Sequence, residues 1–355
     1  RLCLDFTYYK TDSRNQILKL ATTAASGYTS QVRNAGHIRN RGYEIQLGAV
    51  PIQTSKGFRW NLDLNYGANS SKVVKLDDEG LITSYQLYSS GIQILASVGE
   101  AYGTLFGTSY VRDANGNVVV DANGLPKIST TNKTLGKFTP DWTGGISNTF
   151  SYRSLSLSFL IDASVGGSIF SNTNKTGKYT GVLANTLSGR DAEHGGLWYY
   201  TAAMGNNVRL PESPSYSVSS DGLYYAQVNG QSTRVYQDGI MVEGVTESGS
   251  KNEEVVSAEK YYHRIYSIAE ANVYDASYVK LREVALSYRL PRLWTQKLHL
   301  QEASVTLTGR NLWTIYKSVP NIDPESALTT GNAQGVEAYS LPTTRSFGVN
   351  LSVKF

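Results

Sequence analysis

The side chains that could do chemistry are concentrated in the polar stretch from residue 166 to residue 272. Asp191, Glu193 and His194 bring two carboxylates and an imidazole together, the groups that hydrolases use as acid and base. Paired carboxylates cleave glycosidic bonds only at a defined separation, and a loop does not fix that separation. We therefore interpret these residues as solvated loop side chains and predict that the chain is not an enzyme.

Nitrogen and oxygen donors occur without the spacing of a metal site. The histidines lie far apart in the sequence: His37, His194, His263 and His299. Zinc is therefore not expected, and Cys3, as the only cysteine, allows no intrachain disulfide. The oxygen-rich run 113–121 has Val118 where a calcium loop needs Gly, so we interpret it as a hairpin turn and leave bound calcium open. We predict no metal site and no cofactor.

Aromatic residues in the polar segments suggest binding chemistry instead. Rings offer flat apolar faces to sugars or peptides, while neighbouring amides and charges fix orientation. The predicted ligand-binding residues are Tyr85, Tyr88, Arg190, Asp191, Trp198, Tyr199, Tyr200, Asn206, Arg209, Tyr224 and Tyr225. An alternative is equally open, in which these rings pack the loops against each other or against a partner protein.

The elements that must position these residues are strands. Residues 345–355 alternate strictly between apolar and polar, which places every second side chain on one face of a strand. The apolar face carries Phe347, Val349, Leu351, Val353 and Phe355, and we assign this strand to membrane insertion. Seven earlier segments alternate similarly: 1–10, 43–51, 58–66, 141–150, 155–165, 283–290 and 303–308. The sequence therefore predicts an all-β chain with about eight antiparallel strands.

Connection lengths and composition favour a membrane barrel. Short turns alternate with long segments at about 11–33, 70–140, 166–272 and 314–344, which is typical of barrels with periplasmic turns and extracellular loops. Hydrophobic residues make up 40% of the chain, and no run approaches the roughly 18 apolar residues of a membrane helix. The net charge of +4 is spread along the chain, which argues against nucleic acid as a partner. The small polar-face side chains suit a wide lumen, as in plugged barrels of about 22 strands.

Several short motifs resemble the carboxyl-terminal part of SusC/RagA-family TonB-dependent transporters. In chain order these are residues 34–44, 98–107, 143–148, 278–284 with 290–291, 309–312, 321–325 and 339–342. The similarity covers essentially the whole chain, and its strength lies in the order of motifs that are individually weak. It implies that residues 1–355 form the last third of a plugged barrel. Because the chain opens at Arg1 inside a strand, we expect a fragment whose plug and TonB box lie upstream.

The resemblance also implies a location, an activity and partners. The full protein would import oligosaccharide or oligopeptide across the outer membrane of a Gram-negative, Bacteroidota-like bacterium. Its partners would be a SusD-like lipoprotein, TonB–ExbB–ExbD through the upstream region, outer-membrane lipid and the rest of the same barrel. A dimer of the transporter–lipoprotein pair is left open. Two other hypotheses are a passive porin and a soluble, secreted all-β adhesin or glycan-binding protein.

Overall fold

The computed structural model describes residues 1–21, 30–297 and 299–355, and strands dominate it. In chain order the first strands are β1 (Leu2–Ala21), β2 (Ser30–Gln53), β3 (Phe58–Lys75), β4 (Ser84–Ser89), β5 (Gln93–Ser97), β6 (Tyr102–Gly107), β7 (Lys133–Lys137), β8 (Trp142–Tyr152), β9 (Leu155–Val165) and β10 (Ser168–Ser171). The later strands are β11 (Leu197–Thr201), β12 (Asn207–Arg209), β13 (Tyr216–Val218), β14 (Tyr224–Val228), β15 (Gln231–Met241), β16 (Val255–Ser257), β17 (Val273–Asp275), β18 (Tyr278–Arg289), β19 (Glu302–Lys317), β20 (Val336–Glu337) and β21 (Ser346–Lys354).

Short helices connect some of the strands. Within the described residues the α-helices are α1 (Asn172–Thr180), α2 (Ala258–Tyr266) and α3 (Arg292–Lys297). Single 3₁₀ turns occur at Ala184–Thr186, Ala192–His194 and Glu270–Asn272. No helix in this described part of the chain is both long enough and apolar enough to cross a lipid bilayer.

The eight long strands form one antiparallel sheet, which we call the wall. Its order is β1-β2-β3-β8-β9-β18-β19-β21, so each strand lies beside the next long strand in the sequence. The prediction of eight antiparallel strands is confirmed. Tight turns at 54–57 and 153–154 and the α3 connection lie at one edge of the wall, and every long connection lies at the opposite edge.

Three of the four long connections are shorter than predicted, because several strands continue past the end of the apolar alternation, whereas the connection between β9 and β18 extends to residue 277. β1 reaches Ala21, β2 begins at Ser30, β3 reaches Lys75 and β19 reaches Lys317. Only residues 22–29 of the predicted 11–33 loop remain between strands, and these lie outside the described residues. The hydrogen bonds of the backbone ladder require no alternation of apolar and polar side chains, so the strands continue where that alternation stops.

The two faces of the wall differ in polarity, as the alternation predicts. Directly paired residues share a face, and one such row runs from Leu4 through Leu47, Leu64 and Ile146 to Ile161. Leu4 is 64% exposed and Ile146 is 41% exposed, so this apolar face is covered by no other part of the described chain. The opposite face carries rows of small polar side chains such as Ser151–Ser156–Ser287–Thr306–Asn350.

Aromatic residues mark both ends of the apolar face. On β8 these are Trp142 and Tyr152, separated by about 33 Å along the strand at 3.3 Å per residue. At the strand tilt of roughly 40° found in membrane barrels, this gives a band about 25 Å tall. Further apolar-face aromatics are Tyr8, Tyr43, Tyr66, Trp313 and Tyr316 toward the long-connection edge and Phe58, Trp60 and Tyr288 toward the other. Rings with a polar edge suit the lipid headgroup level.

The two long insertions are folded, and together we call residues 76–141 and 166–277 the crown. They contain a four-stranded sheet, β4-β5-β6-β7, and a six-stranded sheet in which β12-β11-β15-β14-β13 is joined by β16. β10 pairs with both β17 and β20. Phe170, Ile94, Leu105 and Val336 form a common buried cluster. Contacts between segments far apart in sequence therefore hold the crown together.

Candidate functional site: the strap and the crown

The connection between β19 and β21, residues 318–345, folds back across the polar face of the wall, and we call it the strap. Asp323 and Glu325 of the strap reach Lys280 of β18, whose Nζ lies 2.6 Å from Asp323 Oδ1 and 2.6 Å from Glu325 Oε2. Lys280 pairs with Asp162 of β9 and so belongs to the polar face. Its side chain is only 3% exposed. A buried ammonium group thus attaches the strap to the wall.

Arg282 adds a second cation to this attachment. It is the extra residue of a β-bulge in β18, since the pairing with both neighbouring strands shifts between Leu281 and Glu283. Its Nε lies 2.8 Å from Asp162 Oδ1, and its guanidinium also contacts Glu325. Two cations therefore meet three carboxylates, which leaves the cluster one negative charge. Close pairing of this kind offsets the cost of removing charges from water.

The carboxyl groups of Asp323 and Glu325 have pKa values below their ordinary range. Burial alone would raise the pKa of Asp323, but hydrogen bonds from Lys280 and Thr343 outweigh it and lower the pKa to about 2. Burial likewise opposes ionisation of Glu325, and the hydrogen bonds from Arg282 and Lys280 lower its pKa. Asp323 and Glu325 are therefore ionised at neutral pH.

The lowered carboxyl pKa values predict that acid releases the strap. Because the pKa of Asp323 is lower in the folded state than its unfolded value of 3.8, its ionisation stabilises the folded state at pH values above 3.8. That stabilisation is lost as the pH falls toward about 2. We expect a spin label at Thr329→Cys, in a Cys3→Ser background, to become mobile between about pH 4 and pH 2. A label at Lys251→Cys in the crown is the control. Equal pH profiles at the two positions would contradict the prediction.

A second anchor ties the strap to the crown. Glu337 of β20 is fully buried and accepts hydrogen bonds from Ser171 Oγ at 2.6 Å and Thr173 Oγ1 at 2.5 Å. Ser171 is also the N-cap of α1, donating to Glu337 while accepting from the Asn174 amide at 3.0 Å. β20 pairs in parallel with β10 at the same place. The strap thus joins the crown to the wall at two polar anchors.

A cleft of about 370 Å³ remains beside the strap on the polar face. The wall contributes Ser164 and Tyr278, the strap contributes Glu325 and Gln334, and the crown contributes Phe138. Tyr278 Oη donates a hydrogen bond of 2.9 Å to Glu325 Oε1. A ligand on this face would therefore meet an aromatic ring beside a carboxylate.

The predicted ligand-binding residues are distributed over two sheets of the crown. Tyr85 and Tyr88 lie on β4, and each packs against a buried apolar cluster. Arg190 donates to the Gly181 carbonyl at 2.7 Å, and Asp191 accepts from the His194 amide at 2.9 Å as the cap of a 3₁₀ turn. These two charged side chains have local structural partners.

The remaining predicted residues lie in or near the six-stranded sheet. Trp198 is 6% exposed and stacks on Tyr216 at 4.9 Å between ring centroids, with Tyr200 and Tyr224 in the same cluster. Tyr199 is also buried, and its hydroxyl donates to Asp238 at 3.1 Å. The more accessible members are Asn206, Arg209 and Tyr225. Packing accounts for the buried rings, and ligand binding by this set stays a prediction.

Oxygen-rich segments bind their own backbone. Asp113 Oδ1 accepts from the amides of Asn115 at 2.9 Å and Asn117 at 2.8 Å, the geometry of an Asx turn. Asp121 Oδ1 accepts from the Asn123 amide in the same way. In the portion of the chain that the structure describes, no group of three or more His, Cys, Asp or Glu residues is placed to hold a metal ion.

The final strand presents its apolar face outward. β21 pairs only with β19 in the described chain, and its apolar side chains are 36–84% exposed: Phe347, Val349, Leu351, Val353 and Phe355. Their role in membrane insertion stays a prediction.

Lys280, Arg282, Asp323, Glu325 and Glu337 were not predicted as site residues. A sequence signal could have indicated paired anchors. Two cations, Lys280 and Arg282, lie two residues apart on a strand, and two carboxylates, Asp323 and Glu325, lie two residues apart in a loop.

An antiparallel all-β wall with one apolar face, one polar face and a crown on one edge has the architecture of part of a transmembrane β-barrel. The chain is 26% identical over 384 residues to TonB-dependent receptor P3 of Formosa agariphila, matching 100% of the chain and 32% of the relative. TonB-dependent receptor P26 of the same organism is 24% identical over 383 residues, with 33% of the relative covered. The chain thus spans about a third of the length of the curated relatives that it matches. No protein-family model matches it.

Solved structures support the same fold. The RagAB peptide importer in its closed-closed state superposes on the whole chain with a TM-score of 0.60 and 18% identity, and the chain covers 34% of that structure's chain. The open-open state gives a TM-score of 0.60 at 17% identity. The resemblance to TonB-dependent receptors is confirmed along the entire chain, and the RagAB structures share its fold.

Proposed function

We propose that the chain is the carboxyl-terminal barrel portion of a TonB-dependent importer in the outer membrane. The observation that carries this proposal is the wall itself, with its uncovered apolar face, its polar opposite face and its folded connections at one edge. An uncovered apolar face of this size is unstable in water. A bilayer surrounds such a face with hydrocarbon, and the hydrogen bonds between neighbouring strands satisfy the backbone polar groups. The similarity to TonB-dependent receptors supports energised import over passive diffusion.

The crown and the strap would form the outer mouth of the lumen. We infer an oligopeptide or an oligosaccharide as substrate, because exposed tyrosine, arginine and amide groups suit both. The similarity to the RagAB peptide importer supports the peptide. A SusD-like lipoprotein would cover the crown, and TonB–ExbB–ExbD would act through an upstream plug. Asp191 caps a single 3₁₀ turn and pairs within that turn with His194 Nδ1 at 2.7 Å, which supports a local structural role for both side chains.

Cell fractionation of the full-length protein tests the location. Recovery from the detergent-solubilised outer membrane is expected, and recovery in the soluble fraction would support the secreted adhesin instead. Substrate uptake that persists after deletion of tonB would support the porin. Loss of uptake in that strain, with unchanged protein in the outer membrane, is the expected result.

The accessible ligand residues give a test of the binding surface. We expect Arg209→Ala with Tyr225→Ala to lower substrate affinity by about tenfold for each side chain that forms a central contact. The measurement is calorimetry with oligopeptide and oligosaccharide pools on the purified transporter–lipoprotein complex. The control is Lys251→Ala, a substitution at an exposed position in a different segment of the crown. Unchanged affinity in the double variant would remove these residues from the site.

A further inference from the structure

A group of basic side chains lies on the apolar face of the wall, just beyond the aromatic residues toward the long-connection edge. On β1 the apolar face presents Leu4, Phe6 and Tyr8, and the next residue on that face is Lys10. Its neighbours on β2 and β3 complete a group that we call the basic patch: Lys10, Arg39, Arg41 and Lys72. All of these side chains are at least partly exposed.

The strand register places like charges directly opposite one another. Lys10 pairs with Arg41, and Arg39 pairs with Lys72, in rows about 7 Å apart on the same face. Directly opposed like charges destabilise a sheet unless another group compensates them. Two successive pairs of this kind therefore indicate an anion in addition to Asp12, the carboxylate directly opposite Arg39.

Internal carboxylates compensate only part of the patch. Asp12 lies 2.8 Å from Arg39 Nε and 2.5 Å from His37 Nε2, so a single carboxylate serves two cationic or proton-donating groups. Among the ion pairs of the described residues, none includes Lys10, Arg41 or Lys72. The residues that the structure leaves undescribed, 22–29 and 298, contain no Asp or Glu.

The position of the patch relative to the aromatic residues indicates what this anion is. Tyr8 and Tyr43 are direct partners with ring centroids 5.7 Å apart, and tyrosine rings mark the level of the lipid headgroups. Lys10 and Arg41 follow one row further out, about 7 Å along the strands. The patch therefore continues the lipid-facing surface at the height where headgroup phosphates lie.

We propose that the basic patch is a binding site for the phosphate groups of an outer-leaflet lipid, lipopolysaccharide in this membrane. Arginine forms bidentate hydrogen bonds with phosphate, and lysine adds a mobile point charge. One bound phosphorylated headgroup would compensate both like-charge pairs at once. The inference rests on the proposed function, because it requires the wall to lie in the outer membrane.

Binding of labelled lipopolysaccharide to the purified full-length transporter tests the proposal. Fluorescence anisotropy is measured for the wild type and for Lys10→Gln with Arg41→Gln, using phosphorylated and enzymatically dephosphorylated lipopolysaccharide. We expect the double variant to bind the phosphorylated lipid roughly thirtyfold more weakly, about fivefold for each cation near a lipid surface. Lys251→Gln with Lys260→Gln removes the same charge from the crown and is expected to leave binding unchanged.

The possible results separate this inference from the proposed function. Equal affinity of the wild type for both lipid forms, or equal loss in the crown control, would overturn the site. Displacement of the lipid by inorganic phosphate at low millimolar concentration would show that the patch binds free phosphate instead. Each of these results would contradict only the proposed phosphate-binding site. Recovery of the wild-type protein in the soluble fraction would instead contradict the membrane location. Unchanged heat-modifiable mobility of the double variant verifies that the barrel still folds.

Discussion

Replacing Lys280 with Met is expected to lower the free energy of unfolding by about 3 to 5 kcal/mol, the usual effect of removing one partner from a buried ion pair. The ammonium group contacts Asp323 and Glu325 at 2.6 Å each, and its side chain is 3% exposed. Without it, Arg282 alone faces three carboxylates on a surface that water reaches poorly. The measurement is the urea midpoint of the detergent-solubilised barrel, followed by heat-modifiable mobility.

Compensating substitutions distinguish an electrostatic effect from a packing effect. Adding Asp323→Asn and Glu325→Gln to the Lys280→Met variant removes the uncompensated charges, and most of the stability is expected to return. Lys56→Met, in the exposed turn between β2 and β3, is the matched single control. A Lys280→Met variant as stable as that control would contradict the role of Lys280 as an anchor.

Leu351→Arg is expected to destabilise the barrel by about 2 to 4 kcal/mol, the depth-dependent effect of arginine near the bilayer midplane. Leu351 is the middle one of the five alternate apolar residues from Phe347 to Phe355, pairs with Val305 and is 65% exposed in the described chain. Its exposure would be to hydrocarbon in a membrane, where a guanidinium group loses its hydration. Outer-membrane yield and heat-modifiable mobility are both expected to fall.

The neighbouring residue provides a control on the same strand. Ser352 points to the opposite, polar face, where it is paired with Ser304. Ser352→Arg adds the same charge and bulk to a face that tolerates polar groups, so it is expected to change yield little. Similar losses in both variants would indicate that β21 has no lipid-facing side, and the membrane assignment of the wall would fail.

The strands of the wall were predictable because a sheet with one apolar face imposes a period of two on the sequence. Phe347 to Phe355 and Phe58 to Tyr66 show that period without interruption. The strand ends were less predictable, since β1 continues past Lys10 and β2 begins before Tyr43 without the alternation of apolar and polar residues. Hydrogen bonds between backbone groups stabilise those extensions, and these bonds impose no pattern on the types of side chain.

The candidate site was predicted only in part. Aromatic residues of the long insertions were singled out from their composition, but the sequence could not separate Trp198, which is packed inside a sheet, from Tyr225, which is more accessible. Burial depends on what the rest of the chain places above a ring. The anchor between Lys280 and Asp323 joins residues 43 positions apart, and neither residue predicts the other.

By itself, the sequence determined the all-β class, the eight-stranded wall, the apolar side of each strand and the family resemblance, because these follow from local alternation and short motifs. The tertiary structure alone decided which distant side chains meet. Charges that are spread along the sequence, such as Lys10, Arg41 and Lys72, converge because strand pairing brings separate segments within about 5 Å to 7 Å of one another. Electrostatic interaction depends on distance in space, which the order of residues does not give.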